Sequence, residues 1–250
     1  MEALASEGKN HAPASLAASS KFGKFKSEPE HVVRIPDIKS DPVLSQLADA
    51  WKRCDCIDDQ NAIMDWDIWF PDILRAANGL SFFAKHVESF SLLLASFQDD
   101  PVFQRKAGLY LSALINACPD EEFIIHTRHL SLPPDSFGYQ NTKNVIVEGN
   151  LGKEAGDSMI SGSIIVKGNV GHCAGDMMRG GEIMIEGDAG ANVGTMMNGG
   201  RIIVQGHAGH DAGFEMNKGV ICLDGTYDGI SSNIYGGRIF HKNEMIFHEK

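Results

Sequence analysis

A two-part α+β chain, with a small N-terminal helical bundle followed by a right-handed parallel β-helix, is the fold class that the sequence predicts. Three observations predict it. Glycines recur every 19 residues over residues 145–240, β-branched residues share columns at the same period, and residues 40–120 instead carry apolar side chains at helical spacing.

The glycine period decides the second part. Of 27 glycines, 22 lie at or beyond Gly149. Gly149, Gly152, Gly156 and Gly162 recur 19 residues on as Gly168, Gly171, Gly175 and Gly181. They recur again as Gly187, Gly190, Gly194 and Gly200, then as Gly206, Gly209, Gly213 and Gly219. With glycine usage near about 7%, chance does not produce this. A fifth copy keeps Gly225 but has Asp228 and Ser232 at the next two template positions, and reads as an irregular terminal cap.

The other columns give the repeat its purpose. Val145, Ile164, Ile183, Ile202 and Ile221 share one column, and Val147, Val166, Ile185, Val204 and Leu223 another, as short strands would. Glu148, Lys167, Glu186, Gln205 and Asp224 form a polar column expected to face water. Ala155, Ala174, Val193 and Ala212 form a small apolar column. Met159, Met178, Met197 and Met216, with Tyr235 following, form a larger one. Residues matched at a fixed period stack if each copy is one coil, with neighbouring strands about 4.8 Å apart. Asn150, Asn169 and Asp188 then make a polar ladder at a turn. The glycines are expected to serve tight corners with positive φ, because glycine at this density weakens any helix by about 1 kcal/mol per position.

The helical part rests on start signals and stripes. Asp41-Pro42 and Asp100-Pro101 each set a carboxylate before a proline, which predicts two helix starts with aspartate N-caps. Phe103, Ala107, Leu111 and Leu114 fall on one face, and Pro119 ends that helix. Phe83, Val87, Phe90, Leu94 and Phe97 make a second stripe. Trp51, Trp66, Trp69 and Phe70 are expected to fill the same bundle, as core rather than as a cofactor box. The chain therefore divides into a tail (1–39), a helical domain (40–120), a connecting segment (121–144), the β-helix (145–240) and a C-terminal tail or cap (241–250).

At this point the repeat I-x-V-x-G-x-x-G-x-x-x-G-x-x-M-x-x-G resembles the GXGXG domain over roughly residues 140–240. That domain forms the C-terminal β-helix of glutamate synthase large subunits. It also forms the β-helical subunit of formylmethanofuran dehydrogenase and of its bacterial formyltransferase/hydrolase counterpart. The resemblance implies a non-catalytic scaffold. A free-standing polypeptide of this size looks more like that β-helical subunit, in a C1-metabolism oxidoreductase complex, than like the glutamate synthase large subunit. The helical segment departs from the subunit's pattern and keeps a separate family with the same β-helix in view. On this reading the chain binds no cofactor itself, and molybdopterin or FMN belongs to partner subunits.

Candidate chemistry is sparse. His207, His210 and Asp211 are the candidate metal ligands, with His172 and Cys173 nearby in the repeat. His172 and His210 share a column two coils apart, about 9.6 Å by doubled strand spacing, too far to share one ion bound at about 2 Å. Solvated turn histidines are the competing reading. The segment GNVGHCAG lacks the Gly-Lys-Ser/Thr of a phosphate loop, and no nucleophile elbow is present. Asp157, Asp176 and Glu215 read as turn carboxylates with no buried pair suited to acid–base work. His126, Arg128 and His129 suit a connecting strand. No catalytic residue is assigned.

The formal net charge of −11 argues against nucleic acid or an anionic membrane as partner. The longest apolar run, 89–97, is too short to span a bilayer. Five cysteines at irregular spacing, with the C-x-C at 54–56 unaccompanied, fit reduced cytoplasmic thiols. Protein subunits of a larger complex are the expected partners. Homo-oligomerisation through the solenoid ends is also open, since terminal coils expose strand edges. The alternatives are a free-standing glutamate synthase GXGXG subunit, or an enzyme or ligand binder using the helix–solenoid junction.

Overall fold

The computed structural model describes residues 36–54 and 66–248, so most of the predicted tail and Cys56 of the C-x-C pair lie outside the described residues. Four helices precede a parallel-dominated β-solenoid of about six turns. They are α1 (Pro42–Arg53), α2 (Trp66–Asn78), α3 (Ala84–Leu93) and α4 (Phe103–Ala117). The strands are β1 (Glu122–His126), β2 (Asn144–Glu148), β3 (Ser163–Val166), β4 (Glu182–Ile185), β5 (Asn198–Val204), β6 (Lys218–Leu223), β7 (Arg238–His241) and β8 (Glu244–His248). They form one sheet in sequence order. All neighbours pair in parallel except β7 and β8, which close the chain as an antiparallel hairpin.

The register follows the sequence columns. Val145, Ile164, Ile183, Ile202 and Ile221 are consecutive partners, and each is fully buried. A second parallel seam joins Leu151, Val170, Ala189, Ala208 and Tyr227. Met159, Met178, Met197 and Met216 all sit at 0% exposure in the bore, beside the small column from Ala155 to Ala212. Burying each methionine is worth about 1.5–3 kcal/mol, and its flexible thioether fits the bore's uneven cross-section. The expected ladder forms too, but through the backbone. Asn150, Asn169 and Asp188 each accept the N–H of the residue 19 positions on, at 2.8, 2.9 and 2.7 Å.

Two expectations need correction. Positive φ explains only part of the glycine pattern. Gly175, at φ +71°, stands for a left-handed corner. Gly187 has no such φ; a Cβ there would lie 2.6 Å from the Gly168 carbonyl oxygen, so glycine is required by the close approach of one coil to the last. Tyr235 does not continue the methionine column. The last coil is one residue short, Ile234 packs on the core instead, and Tyr235 stands 57% exposed.

The segment 121–144, expected as a connection, winds as a further N-terminal coil. β1 pairs with β2 over its whole length, Phe123 opposite Val145 and Ile125 opposite Val147. Phe123, Ile125 and Phe137 fill its interior. The helices close this end of the bore. Ser112 on α4 accepts the N–H groups of Gly138 (2.8 Å) and Tyr139 (3.2 Å), and Gln104 and Asn116 donate to the carbonyls of Pro133 and Tyr139. Gly108 lets the helix backbone touch the coil: a Cβ there would lie 2.9 Å from the Phe137 nitrogen. Helices and solenoid consequently share one continuous apolar core.

Within the helices, Asp41 caps α1 as expected, accepting from Val43 at 2.8 Å. Asp100 opens a turn instead: it accepts from Val102 and pairs with Lys106 at 3.1 Å, while α4 begins only at Phe103. Trp51 packs among Phe90, Phe97, Phe103 and Tyr110. Phe70 is buried and Trp69 partly buried, whereas the Trp66 side chain lies outside what is described. Phe83, the first residue of the predicted stripe, points out at 55% exposure. Among the described residues no helix is long and apolar enough to cross a membrane.

Candidate functional site

One corner of the solenoid concentrates the unusual chemistry. Five successive coils turn there through five residues whose first, third and fifth members are left-handed: Ser136–Gly138–Gln140, Glu154–Gly156–Ser158, Cys173–Gly175–Met177, Asn192–Gly194–Met196 and Asp211–Gly213–Glu215. The central member is always glycine because a Cβ would strike an isoleucine of the neighbouring strands; at Gly175 that residue is Ile202. The outer two members have room, so other residues occupy them at a conformational cost of about 1–2 kcal/mol each.

The first and fourth turn positions gather an acidic cluster with a thiol. Glu154 is buried and its Oε2 accepts the Ser136 hydroxyl at 2.8 Å. Asp157, only 2% exposed, accepts from Ser158 at 2.8 Å. One coil on, burial and then the Glu154 charge push Asp176 up to about 6, against the pull of the Met177 N–H. Its Oδ1 is buried without a partner. Burial and the Asp176 and Glu154 charges also push the Cys173 thiol up. At Asp176 this corrects the expectation of turn carboxylates with no buried pair. The thiol stays protonated and is a poor nucleophile, whereas Asp176 exchanges a proton close to neutrality.

The fifth turn position does the opposite and carries apolar groups into solvent. Met177 and Met196 are stacked on successive coils, 42% and 39% exposed. Ile160 and Tyr235, at 46% and 57%, belong to the neighbouring column of the same corner. Ile160 and Tyr235 stand at the two ends of that column, with Arg179, Asn198 and Asn217 between them, so the adjacent apolar pair is Met177 and Met196.

The predicted metal ligands are not brought together. His207 faces Thr226 (2.9 Å) and Asp228 (3.4 Å), whereas His210 pairs with its neighbour Asp211 at 2.8 Å in the open. His172 accepts the Ala191 N–H at 3.0 Å. Among the described residues no group of three or more His, Cys, Asp or Glu is placed to hold a metal ion. Of the sixteen template glycines, nine adopt positive φ; at the other seven a Cβ would lie within 3.0 Å of the preceding coil.

At the helix–solenoid junction, His126 on β1 meets Glu88 at 3.0 Å. Both His129 ring nitrogens are buried without a hydrogen-bond partner. Burial lowers its pKa; a contact with the Leu92 backbone that falls short of hydrogen-bond geometry partly offsets this, and His126 adds to the lowering. The junction also holds a depression of about 140 Å³ lined by Asp100, Phe103, Gln104, Arg105, Leu132 and Asp135. Small-molecule sites usually enclose about 300–1,000 Å³.

Sequence reasoning missed Glu154, Ser136 and the exposed methionines. The signal was available, since Glu154, Cys173, Asn192 and Asp211 lie at the repeat period. It also missed an apolar stripe on the sheet's outer face, in which Ile146, Ile165, Met184, Ile203, Cys222 and Phe240 are all buried. Flanking side chains shield it, among them the Lys167–Glu148 pair at 2.7 Å and Gln205, whose amide lies 3.7 Å from the Met184 sulfur. No family model matches this sequence, and no curated protein matches it either.

Proposed function

We propose that this chain is a non-catalytic scaffold subunit of a larger cytoplasmic oxidoreductase complex, built on a right-handed GXGXG-type β-helix and resembling the β-helical subunit of formylmethanofuran dehydrogenase. The observation that carries the reading is the exposed ridge formed by Met177 and Met196 on successive coils. Met177 and Met196 sit at φ +49°, a conformation that disfavours any side chain, and yet they direct flexible apolar groups into solvent. The turn is left-handed at this position in other coils too, where Gln140, Ser158 and Glu215 fill it; two neighbouring coils place methionine there instead, and adaptable Met-rich surfaces suit protein partners. Molybdopterin or FMN then belongs to those partners.

The test is isolation of the tagged full chain from its native cell under gentle conditions, with Met177→Gln/Met196→Gln alongside. The expected result is stoichiometric co-elution of amidohydrolase and molybdopterin subunits with the wild type and their loss from the double variant. Amidotransferase and FMN-domain partners would move the assignment to a free-standing glutamate synthase subunit. A wild-type chain that elutes alone, or partners indifferent to the double substitution, would defeat the ridge argument.

A further inference from the structure

Two pairs of adjacent methionines divide between core and solvent. Met177–Met178 and Met196–Met197 are the only Met-Met dipeptides in the sequence. In each, the second member is the template residue, fully buried in the bore, and the first stands exposed one residue away. The fold asks for the inner methionine alone, since Ser158 precedes Met159 and Glu215 precedes Met216 at the same place in the turn. The two outer methionines lie on neighbouring coils, where the Met177 N–H donates to the Thr195 carbonyl at 2.9 Å. Of the eight methionines among the described residues, five are buried, Met245 is half-buried, and Met177 and Met196 alone are exposed. The thiols compete poorly for an oxidant. Burial pushes Cys118, Cys173 and Cys222 up, away from the reactive thiolate. A thioether has no proton to lose, so its sulfur lone pair is available wherever the group meets solvent.

We infer that Met177 and Met196 form an oxidant-responsive modification site, at which hydrogen peroxide converts two surface thioethers to sulfoxides while the core methionines stay reduced. The sulfur lone pair attacks one peroxide oxygen. The S–O bond forms as the O–O bond breaks, the proton on the transferred oxygen passes to the departing hydroxide, and water leaves. Sulfur gives up two electrons and the peroxide takes them. The product is polar and chiral, and methionine sulfoxide reductases, one for each epimer, return it to the thioether. In the bore such a change would disrupt packing. At the corner the sulfoxide oxygen stands in water, and the change is confined to the surface. Two apolar groups on coils about 4.8 Å apart become two dipoles, and the corner loses its apolar pair without losing the fold.

The inference goes beyond the scaffold reading and does not need it, because the test uses the isolated full chain. Millimolar hydrogen peroxide is added, and tandem mass spectrometry over time separates the two members of each dipeptide. Met177 and Met196 should oxidise at least about tenfold faster than Met178 and Met197, because a buried sulfur reacts only while its coil is open. In urea the two members of each dipeptide should oxidise alike. The chain oxidised at the pair should keep its circular dichroism and elute earlier from a hydrophobic-interaction column. Met177→Leu/Met196→Leu carries no thioether at this corner, and its elution should not shift with peroxide. Should that variant fail to fold, the wild-type rates decide. Equal rates within a dipeptide of the folded chain, loss of dichroism on oxidation of the pair, or an elution shift that persists in the leucine variant each overturns the inference.

Discussion

Asp176 offers the sharpest test of the corner. Its carboxyl is raised from 3.8 to about 6, first by burial and then by the Glu154 charge. A folded-state pKa above the unfolded value means that the native protein binds this proton more tightly. The associated stability is fully present below pH 3.8 and is lost as the pH rises through about 6. Two pKa units correspond to about 3 kcal/mol at about 1.36 kcal/mol each, and partial solvent access trims this to about 2 kcal/mol. Asp176→Asn keeps the shape and removes the titration. Relative to the wild type, the variant should be about equally stable near pH 4 and more stable by up to about 2 kcal/mol at pH 7.5. Urea unfolding of both proteins at pH 4, 6 and 7.5, followed by circular dichroism, measures the difference directly, since other titrating groups cancel. Parallel pH profiles, or an Asp176→Asn penalty that grows towards neutral pH, would refute the idea that this corner stores a repelled charge.

Three further outcomes follow from other parts of the molecule. Ser112→Ala leaves the N–H groups of Gly138 and Tyr139 buried without their acceptor, and should cost at least about 2 kcal/mol in urea unfolding, because each orphaned group costs about 1–3 kcal/mol. Burial holds His129 neutral, so its stabilisation is present above its usual 6.5 and lost as the pH falls through the lowered folded-state value. His129→Leu should flatten this acid limb, and an imidazole NMR titration of the wild type should give a midpoint below 6.5. Met177→Gly relieves a left-handed residue whose side chain is already 42% exposed, and should raise the thermal midpoint of the isolated chain while weakening partner capture; a lowered midpoint would count against a backbone cost at Met177.

The solenoid was legible because a repeat supplies its own comparisons. Val145 alone is one β-branched residue; in register with Ile164, Ile183 and Ile202 it is a wall. The first coil escaped for the converse reason. It has one glycine, Gly138, at the template's corner; its strand lies 22 positions before the next (Phe123 opposite Val145), and its left-handed turn 18 (Ser136 before Glu154). Aromatic residues such as Phe137 replace small ones there because this layer meets α4 instead of another coil. The outer stripe was hidden in plain view: Ile146 lies between inward-facing Val145 and Val147, and a parallel strand covered on both faces reads as an unbroken apolar run.

The corner was least legible, and its geometry explains why. Period reveals which residues stack, but not how deep they sit. Glu154, Asp157 and Asp176 look like ordinary turn acids until the left-handed turn folds the first and fourth positions of successive coils over one another. The same turn separates the fixed from the free. A glycine is required where a Cβ would strike an isoleucine of the neighbouring strands, as at Gly175, whereas the positions on either side tolerate cysteine, asparagine or methionine at a modest backbone cost. Variation is cheapest there without disturbing the stack, so a solenoid whose interior columns are locked by packing can still present distinct chemistry on each coil. Buried acids and exposed methionines occupy adjacent positions of one turn because that turn is where the fold leaves residue choice open.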